Sequence, residues 1–453
     1  MCFSQRPHSS YHNQPKRTTE IDRDGAGEYI KGIQKPDLRG IQMNLKHLGK
    51  ALAALAVLLG TAGCFGMAGA EEARNIAAEC TYTYQRDSAR NLGDLYNGSY
   101  SYYWQSARSR DPWLEVTLPE GETCSGVQIK WQALNTGWYI EAEKDGEWIR
   151  AGEASGNYLA TWTPLPDVKK FRLSASFRSP DAMKIAEMEV YSAGERPASV
   201  QVWKPTQEKA DLLMVAAHPD DEYVFLGALI PYYGAERGKN VLVCYITESD
   251  WYRRLELLDG LWTAGQRTYP LMGKFYDRYT MNLETAYEKI GKKKVRDYMI
   301  EVFRHYRPEV VVTHDIGGEY GHGVHKVCAD IVINALEKSG DSRNHPESAE
   351  KYGTWEVPKC YLHLYEKDQI RFDWKGMKLE AFGGKSAFEA ADAAWKCHVS
   401  QAEKGKYEVY TEGPYDSQVF GLYRSLVGED AEHRDFFENL PGPEDFMVVS
   451  DGE

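Results

Sequence analysis

The arrangement of apolar and polar positions divides the chain into two regions with different periods. Between residues 76 and 196, apolar and polar residues alternate in short runs, and turns rich in Gly and Asn separate the runs. Alternation of this kind predicts strands, and several short strands at this spacing are typical of a β-sandwich. The predicted strands cover residues 127–131, 139–143, 171–175 and 187–191.

From residue 210 to residue 450 the pattern changes to apolar runs that alternate with helical periods. Such runs predict buried strands, and the intervening helices predict a parallel sheet covered on both faces. The predicted fold class is therefore multidomain: a β-sandwich followed by an α/β, Rossmann-like, mostly parallel sheet. The polar residues 197–209 predict a linker between the two. The predicted strands of the second region cover residues 211–217, 240–247 and 308–313, and the predicted helices cover residues 222–237, 255–271, 293–306 and 324–336.

Three loops leave the predicted parallel strands at their carboxyl ends, where ligands bind in folds of this kind. The first loop holds His218, Asp220, Asp221 and Glu222 within one short turn. A helix start needs one capping side chain, and so this group of ionisable residues exceeds what capping requires. Glu222 has no role here beyond the helix start or support of its neighbours.

The third loop carries His322 and His325, whose spacing at the start of a helix is typical of metal ligands. Because the loops leave the same edge of the sheet, we expect these imidazoles to face His218 and Asp221 across one cleft. Two His and one carboxylate are typical of a zinc site that keeps a position open for water.

The residues of both loops resemble the PIG-L / LmbE-like de-N-acetylases. The resemblance rests on the motif Ala-His-Pro-Asp-Asp-Glu at 217–222 and on the later His322 and His325, and it covers residues 210–335. It implies a deacetylase domain at residues 210–450. It also implies that a catalytic Zn²⁺ is bound by His218, Asp221 and His325.

The same resemblance implies roles for other residues of the cleft. Asp220 would be the general base, and His322 and Tyr320 would stabilise the oxyanion or assist proton transfer. Arg253 is similar to a substrate-contacting arginine, although Arg254 matches equally well. Packing within the loop is the alternative for Tyr320, and a solvated helix face is the alternative for Arg253.

The chain departs from the family pattern at Val324, where many members have an Asp before the last His. That Asp would orient the preceding His. The departure therefore concerns how His322 is held and leaves the metal site intact.

Short motifs in the first region resemble a discoidin, or coagulation-factor type C, domain over residues 76–196. The resemblance implies glycan binding through aromatic residues of loops, and a Ca²⁺ ion in the β-sandwich. The alternative for Trp104 and Trp113 is core packing, which is the usual role of Trp in a sandwich, and so no binding residue is assigned here. The motifs are Leu-Tyr-Asn-Gly at 95–98, Tyr-Trp-Gln-Ser at 103–106 and Pro-Trp-Leu-Glu-Val at 112–116.

Residues 43–70 predict a secretory signal peptide. A short basic segment, an apolar core and an Ala-x-Ala site follow one another, and cleavage is expected after Ala70. Residues 1–42 are unpatterned and are interpreted as an overcalled translation start. Lipid attachment at Cys64 and retention as an uncleaved anchor are the alternatives. All three place the protein outside the cytoplasm, secreted or at the cell surface. With cleavage, which is the prediction, no membrane insertion of the mature chain is expected.

Composition narrows the function classes further. The chain has 453 residues, of which 42% are hydrophobic and 27% charged, as in ordinary globular proteins. Its net charge of −13 argues against a nucleic-acid partner, because phosphate binding requires a basic surface. Cys80 and Cys124 could pair in an oxidising compartment.

These features predict a secreted, zinc-dependent hydrolase that removes the acetyl group from N-acetylated amino sugars. Its expected substrates are extracellular glycans that carry N-acetylglucosamine or N-acetylgalactosamine. Two alternatives stay open. One is a catalytically inactive glycan-binding protein, and the other is a zinc amidase that acts on a different amide.

Overall fold

The computed structural model describes residues 71–85, 91–134, 136–153 and 158–441. The predicted signal peptide at 43–70 and the unpatterned start at 1–42 lie outside these residues. Within the described ranges, none of the helices has both the length and the apolar character needed to cross a membrane. The described residues belong to one compact unit that contains both predicted regions.

The first region is a β-sandwich of two antiparallel sheets, and all four strands predicted there are present. The strands are β1 Thr81–Tyr84, β2 Trp104–Gln105, β3 Trp113–Thr117, β4 Cys124–Trp131, β5 Trp138–Lys144, β6 Glu147–Glu153, β7 Ala160–Val168, β8 Lys170–Ala175 and β9 Lys184–Ser192. One sheet has the strand order β1-β3-β8-β5-β6 and the other β2-β9-β4-β7. Trp104 is fully buried, as core packing requires, whereas Trp113 is half-buried beneath the guanidinium of Arg172. Cys80 and Cys124 are free thiols.

The second region is built on a six-stranded sheet. Its strands are β10 Leu212–Ala216, β11 Val241–Tyr245, β12 Val310–Thr313, β13 Lys359–His363, β14 Gln369–Arg371 and β17 Val419–Ser425, and a separate ribbon joins β15 Lys378–Leu379 to β16 Lys385–Ser386. The strand order is β11-β10-β12-β13-β17-β14. The first four strands run parallel, and the last two are antiparallel to their neighbours. Every residue of the four parallel strands is buried, which explains their largely apolar sequences.

Helices cover both faces of this sheet. They are α1 Asp221–Val224, α2 Trp251–Thr263, α3 Leu283–Ile290, α4 Lys292–Tyr306, α5 Gly323–Lys338, α6 Pro346–Tyr352, α7 Ala387–Trp395 and α8 Val399–Ala402. Alternate residues of β10 belong to two different apolar clusters, because successive side chains of a strand point to opposite faces. One cluster includes α2 and α7 and continues into the core of the β-sandwich, and the other includes α3, α4 and α5.

The prediction of one continuous helix over residues 222–237 is wrong. The segment begins with the single turn α1, and a π-helix follows at Ile230–Glu236. Gly227 separates the two with a φ of +63°, and a Cβ at this position would lie 2.6 Å from Nε1 of Trp374 and 2.8 Å from the carbonyl oxygen of Ser417. Trp374 and Ser417 therefore pack closely against the chain at position 227, where the helix is interrupted and only glycine fits without strain.

We expect Gly227→Ala to lower the free energy of unfolding by about 2–4 kcal/mol, from the left-handed backbone and the steric overlap together. Gly238→Ala is the matched control, because Gly238 has a φ of +65° and open space, with nothing within 4 Å, where a Cβ would lie. Chemical denaturation of both variants separates the two contributions. Equal losses would show that the overlap at Gly227 is relieved at no cost.

The helix predicted over 255–271 begins earlier and ends earlier, at Trp251–Thr263. Gly265 has a φ of +85° and turns the chain. The residues after it run alongside the sheet, where Leu271 bridges Cys244. The apolar residues after 264 therefore belong to an extended segment. A short apolar run has the same pattern in a buried extended segment as at the end of a buried helix, and so the sequence does not separate the two.

Candidate metal and catalytic site

The predicted site residues meet at the carboxyl ends of the parallel strands. All of them except His325 line a pocket of about 200 Å³ in which basic, acidic and aromatic side chains face one another. The pocket is lined by His218, Asp220, Asp221, Val224, Phe225, Arg253, Asp277, Tyr279, Tyr320, His322, Gln401 and Tyr407.

Three predicted ligands converge at this pocket. Nδ1 of His218 lies 3.1 Å from Oδ2 of Asp221 and 3.3 Å from Nε2 of His325, and this last nitrogen lies 3.5 Å from the same carboxylate oxygen. The side chains of Asp221 and His325 are buried, and that of His218 is nearly so. Two imidazole nitrogens and one carboxylate oxygen at this separation fit the ligand set of a catalytic zinc ion.

His314 approaches the same carboxylate but is held elsewhere. Its Nε2 lies 3.5 Å from Oδ2 of Asp221 and accepts the backbone N–H of Ala217 at 3.0 Å. Because that lone pair is already engaged, His314 supports the first loop and is not assigned as a ligand.

Glu319 contacts three imidazoles, one of which belongs to the predicted ligand His325. Its buried carboxylate lies 2.7 Å from Nδ1 of His314, 2.8 Å from Nδ1 of His325 and 2.6 Å from Nδ1 of His363. Burial alone would raise the pKa of Glu319, but the imidazoles, with His314 foremost, hold that pKa well below its usual range. The carboxylate thus fixes His325 with Nε2 directed at the site, as supporting groups of metal ligands do. Glu319 was not predicted from the sequence, although it stands in the same loop as His322.

Asp277 is a second site residue that was not predicted from the sequence. Its Oδ2 lies 3.0 Å from Nε2 of His218, whereas Nδ1 of the same ring faces Asp221 and His325. The long segment between α2 and α3 that carries Asp277 has no periodic pattern, and so the sequence offers no signal for it.

Asp220 is held by contacts on its backbone and its side chain. Its φ is +122°, which is rare for any residue but glycine. Oε2 of Glu222 accepts its backbone N–H at 2.7 Å, and Oε1 of Glu222 lies 2.9 Å from Nε2 of the buried His398. Arg253 donates to Oδ2 of Asp220 at 2.9 Å and to the carbonyl of Pro219. Glu222 and His398 are therefore part of the site.

Burial raises the pKa of Asp220 to about 7, against the lowering effect of Arg253. A carboxylate with a pKa near neutrality exchanges a proton readily at physiological pH, which is what a general base requires.

His322 is buried at the pocket wall between two aromatic rings. Its ring lies 5.1 Å from that of Tyr279 and 5.5 Å from that of Tyr320, nearly parallel to both. Within the described part of the chain, neither ring nitrogen has a hydrogen-bond partner. Burial lowers the pKa of His322 to about 3, and the neighbouring His218 and His325 add to the effect. Val324 is buried and offers no carboxylate to this ring. A neutral His322 is thus free to bond with a ligand in the pocket.

Part of this region matches a known protein family. Residues 213–336 match the family model described as PIG-L: GlcNAc-PI de-N-acetylase. A relative from Geodermatophilus obscurus, named 1D-myo-inositol 2-acetamido-2-deoxy-alpha-D-glucopyranoside deacetylase, is 28% identical over 51% of this chain and 98% of its own length. The family match includes His218, Asp220, Asp221 and His325, whereas His398, Gln401 and Tyr407 lie outside it.

Two solved structures are similar to parts of the chain. An N,N'-diacetylchitobiose deacetylase from Pyrococcus horikoshii has 16% identity and a TM-score of 0.34, and the match covers 42% of this chain and 71% of that one. An F5/8 type C domain from Bacteroides fragilis has 16% identity and a TM-score of 0.21, and the match covers 26% of this chain and 95% of that one.

Proposed function

We propose that this chain, which carries a PIG-L domain at residues 213–336, is a zinc-dependent hydrolase that removes the acetyl group from an N-acetylated amino sugar. The observation that supports the proposal best is the meeting of His218, Asp221 and His325 beside Asp220 at one pocket. The family model and the relative described above are both named as deacetylases of acetamido sugars.

A bound zinc ion would supply Lewis-acid chemistry, which activates water and polarises an amide carbonyl. Asp220 takes the proton of the attacking water, since its carboxylate lies beside the ligand Asp221 and faces the pocket. Arg253 keeps this carboxylate in place by its hydrogen bond. A base positioned in this way is worth about 10²–10⁴ in rate.

Two other groups of the pocket receive the charge that develops on the amide oxygen. Tyr320 and His322 line the pocket, and the ring nitrogens of His322 have no hydrogen-bond partner among the described residues. Because His322 is neutral, its N–H acts as a hydrogen-bond donor to the oxyanion rather than as a cation. Asp220, protonated by the first step, returns its proton to the departing amine.

We further propose that the substrate is an extracellular glycan bearing N-acetylglucosamine or N-acetylgalactosamine, and that the protein is exported by the segment 43–70. The sandwich region would then contact the glycan. Among the described residues, the groups of side chains that could hold a metal ion all lie at the catalytic site, so the Ca²⁺ ion of the sandwich stays a prediction.

The test is acetate release from a panel of N-acetylated sugars, oligosaccharides and peptides, measured with and without a chelator. We expect release from acetamido sugars, loss of release after chelation, and recovery when zinc is returned. Release that a chelator leaves unchanged would exclude the metal mechanism. Release from the peptides alone would favour an amidase of another class, and stoichiometric zinc without any release would favour a glycan-binding protein.

The pH dependence of kcat/KM in variants of Arg253 tests the assignment of Asp220 as the general base. Its guanidinium lowers the pKa of Asp220, and so Arg253→Met should raise that pKa further. Because the base works only when deprotonated, we expect the acid limb of the kcat/KM profile to move to higher pH. Arg253→Lys keeps the charge and is the matched control, with a smaller shift. Identical acid limbs in the two variants would exclude Asp220 as the group that titrates there.

A further inference from the structure

A partly buried polar cluster joins the β-sandwich to helix α2. Lys130 is 9% exposed, and its ammonium donates to Oδ1 of Asp259 at 2.8 Å and to the hydroxyl of Tyr100 at 2.6 Å. Tyr100 donates to Oδ2 of Asp259 at 2.6 Å, and the amide of Gln201 donates to Oδ1 at 2.6 Å. One helix carboxylate therefore receives three donors, two of them from the sandwich and one from the segment predicted as a linker.

Aromatic contacts extend this attachment along α2. Trp251, the first residue of the helix, packs against Tyr103 of the sandwich with ring centroids 5.4 Å apart. Trp262, near its end, packs against Trp203 at 5.3 Å and donates from its indole to the carbonyl of Ala198 at 2.8 Å. The helix is thus held near both ends as well as at Asp259.

The opposite face of the same helix belongs to the catalytic site. Arg253 donates to Asp220, and Glu256 accepts both the backbone N–H and the hydroxyl of Ser400. At 3.6 residues per turn, positions 251, 259 and 262 fall within an arc of about 80°. Position 253 lies on the other side of the helix, and position 256 lies between positions 259 and 253 around the helix axis. A displacement of α2 on the sandwich side would therefore move the guanidinium of Arg253.

We infer that Asp259 is a positioning residue through which the β-sandwich holds α2, and with it Arg253, against Asp220. The sandwich is then a fixed part of the catalytic unit, in addition to any contact that it makes with a substrate. The inference concerns how the site of the proposed function is held and rests on that function only for its kinetic readout.

The burial of Lys130 makes the loss of its ion pair with Asp259 costly. Lys130 is buried, and a buried charge that loses its partner is costly. The helix carboxylate and the sandwich ammonium therefore stay paired as long as the two regions stay docked. Misplacement of a catalytic group by about 1 Å can cost on the order of 100-fold in rate, so a small shift of α2 has a measurable effect.

The experiment uses the full chain with Lys130→Met and Asp259→Asn, each alone and combined with Arg253→Met. Glu115→Gln is the control, because Glu115 pairs with Lys170 and Arg172 within the sandwich, away from the Asp259 cluster. We expect kcat to fall roughly tenfold in either cluster variant with KM nearly unchanged, since misplacement affects the chemical step. We expect the control to change kcat less than about twofold, because no group of the site depends on it.

The double variants decide whether the cluster acts through Arg253. If it does, Lys130→Met should have little further effect in the Arg253→Met background, because groups that act through one another are not additive. Effects that multiply would overturn the inference and leave the cluster with a general role in stability. The Glu115→Gln change should multiply with Arg253→Met in either case.

Hydrogen–deuterium exchange gives a readout that does not depend on turnover. We expect peptides that cover α2 to exchange faster in Lys130→Met and Asp259→Asn than in the unchanged chain and in Glu115→Gln. Unchanged exchange in the cluster variants would overturn the inference. A protein that releases no acetate, yet shows the expected exchange, would contradict the proposed function and support the role of Asp259 in holding α2.

Discussion

Asp220→Asn is expected to lower kcat by about 10²–10⁴ while the protein keeps its zinc. The amide has nearly the same shape as the carboxylate but cannot take a proton from water. Asp220 lies outside the proposed ligand set, whose atoms belong to His218, Asp221 and His325. The measurement is kcat for acetate release together with the zinc content of the purified variant.

The control for this variant is Asp392→Asn, which removes a carboxylate paired with Lys396 on the surface of α7. It should retain full activity. An Asp220→Asn protein that turns over at the normal rate would remove this residue from the base role. A variant that has lost its zinc would instead make Asp220 part of the metal site.

Glu319→Gln is expected to weaken zinc binding by about 10–100-fold and to lower the free energy of unfolding by about 3–5 kcal/mol. The carboxylate accepts from the Nδ1 atoms of His314, His325 and His363. A glutamine has one acceptor oxygen, and its NH₂ group would face an imidazole N–H. At least one of the buried imidazoles would then lose its partner.

Competition with a chromogenic chelator measures the zinc affinity, and chemical denaturation of the metal-free protein measures the stability. Glu337→Gln on the exposed surface of α5 is the control and should change neither quantity. Normal zinc affinity in the Glu319→Gln variant would show that His325 keeps its orientation without the carboxylate.

The first loop of the site could be predicted from the sequence because its ionisable residues are close together in the chain. His218, Asp220 and Asp221 follow a buried strand, and His325 follows another strand of the same sheet, so the edge where they meet could be derived from the pattern of strands alone. The same reasoning predicted the sandwich strands, whose apolar residues alternate with the pleat.

The supporting groups could not be derived in this way. Asp277 lies in an aperiodic segment, and His363 and His398 lie far along the chain from the groups that they contact. Their roles depend on the packing of β13 and α8 against the first loops, and no local pattern encodes that packing. The break at Gly227 has the same origin, since the residue that crowds it is Trp374.

The unusual backbone at Asp220 has a consequence for how the chain can evolve. A non-glycine residue with a φ of +122° lowers the free energy of unfolding by about 1–3 kcal/mol. The hydrogen bonds of Asp220 with Glu222 and Arg253 must offset this strain. Glycine would relieve this strain but would remove the carboxylate. Selection for a more robust fold and selection for turnover therefore favour different residues at position 220, and the aspartate persists there only while the reaction is needed.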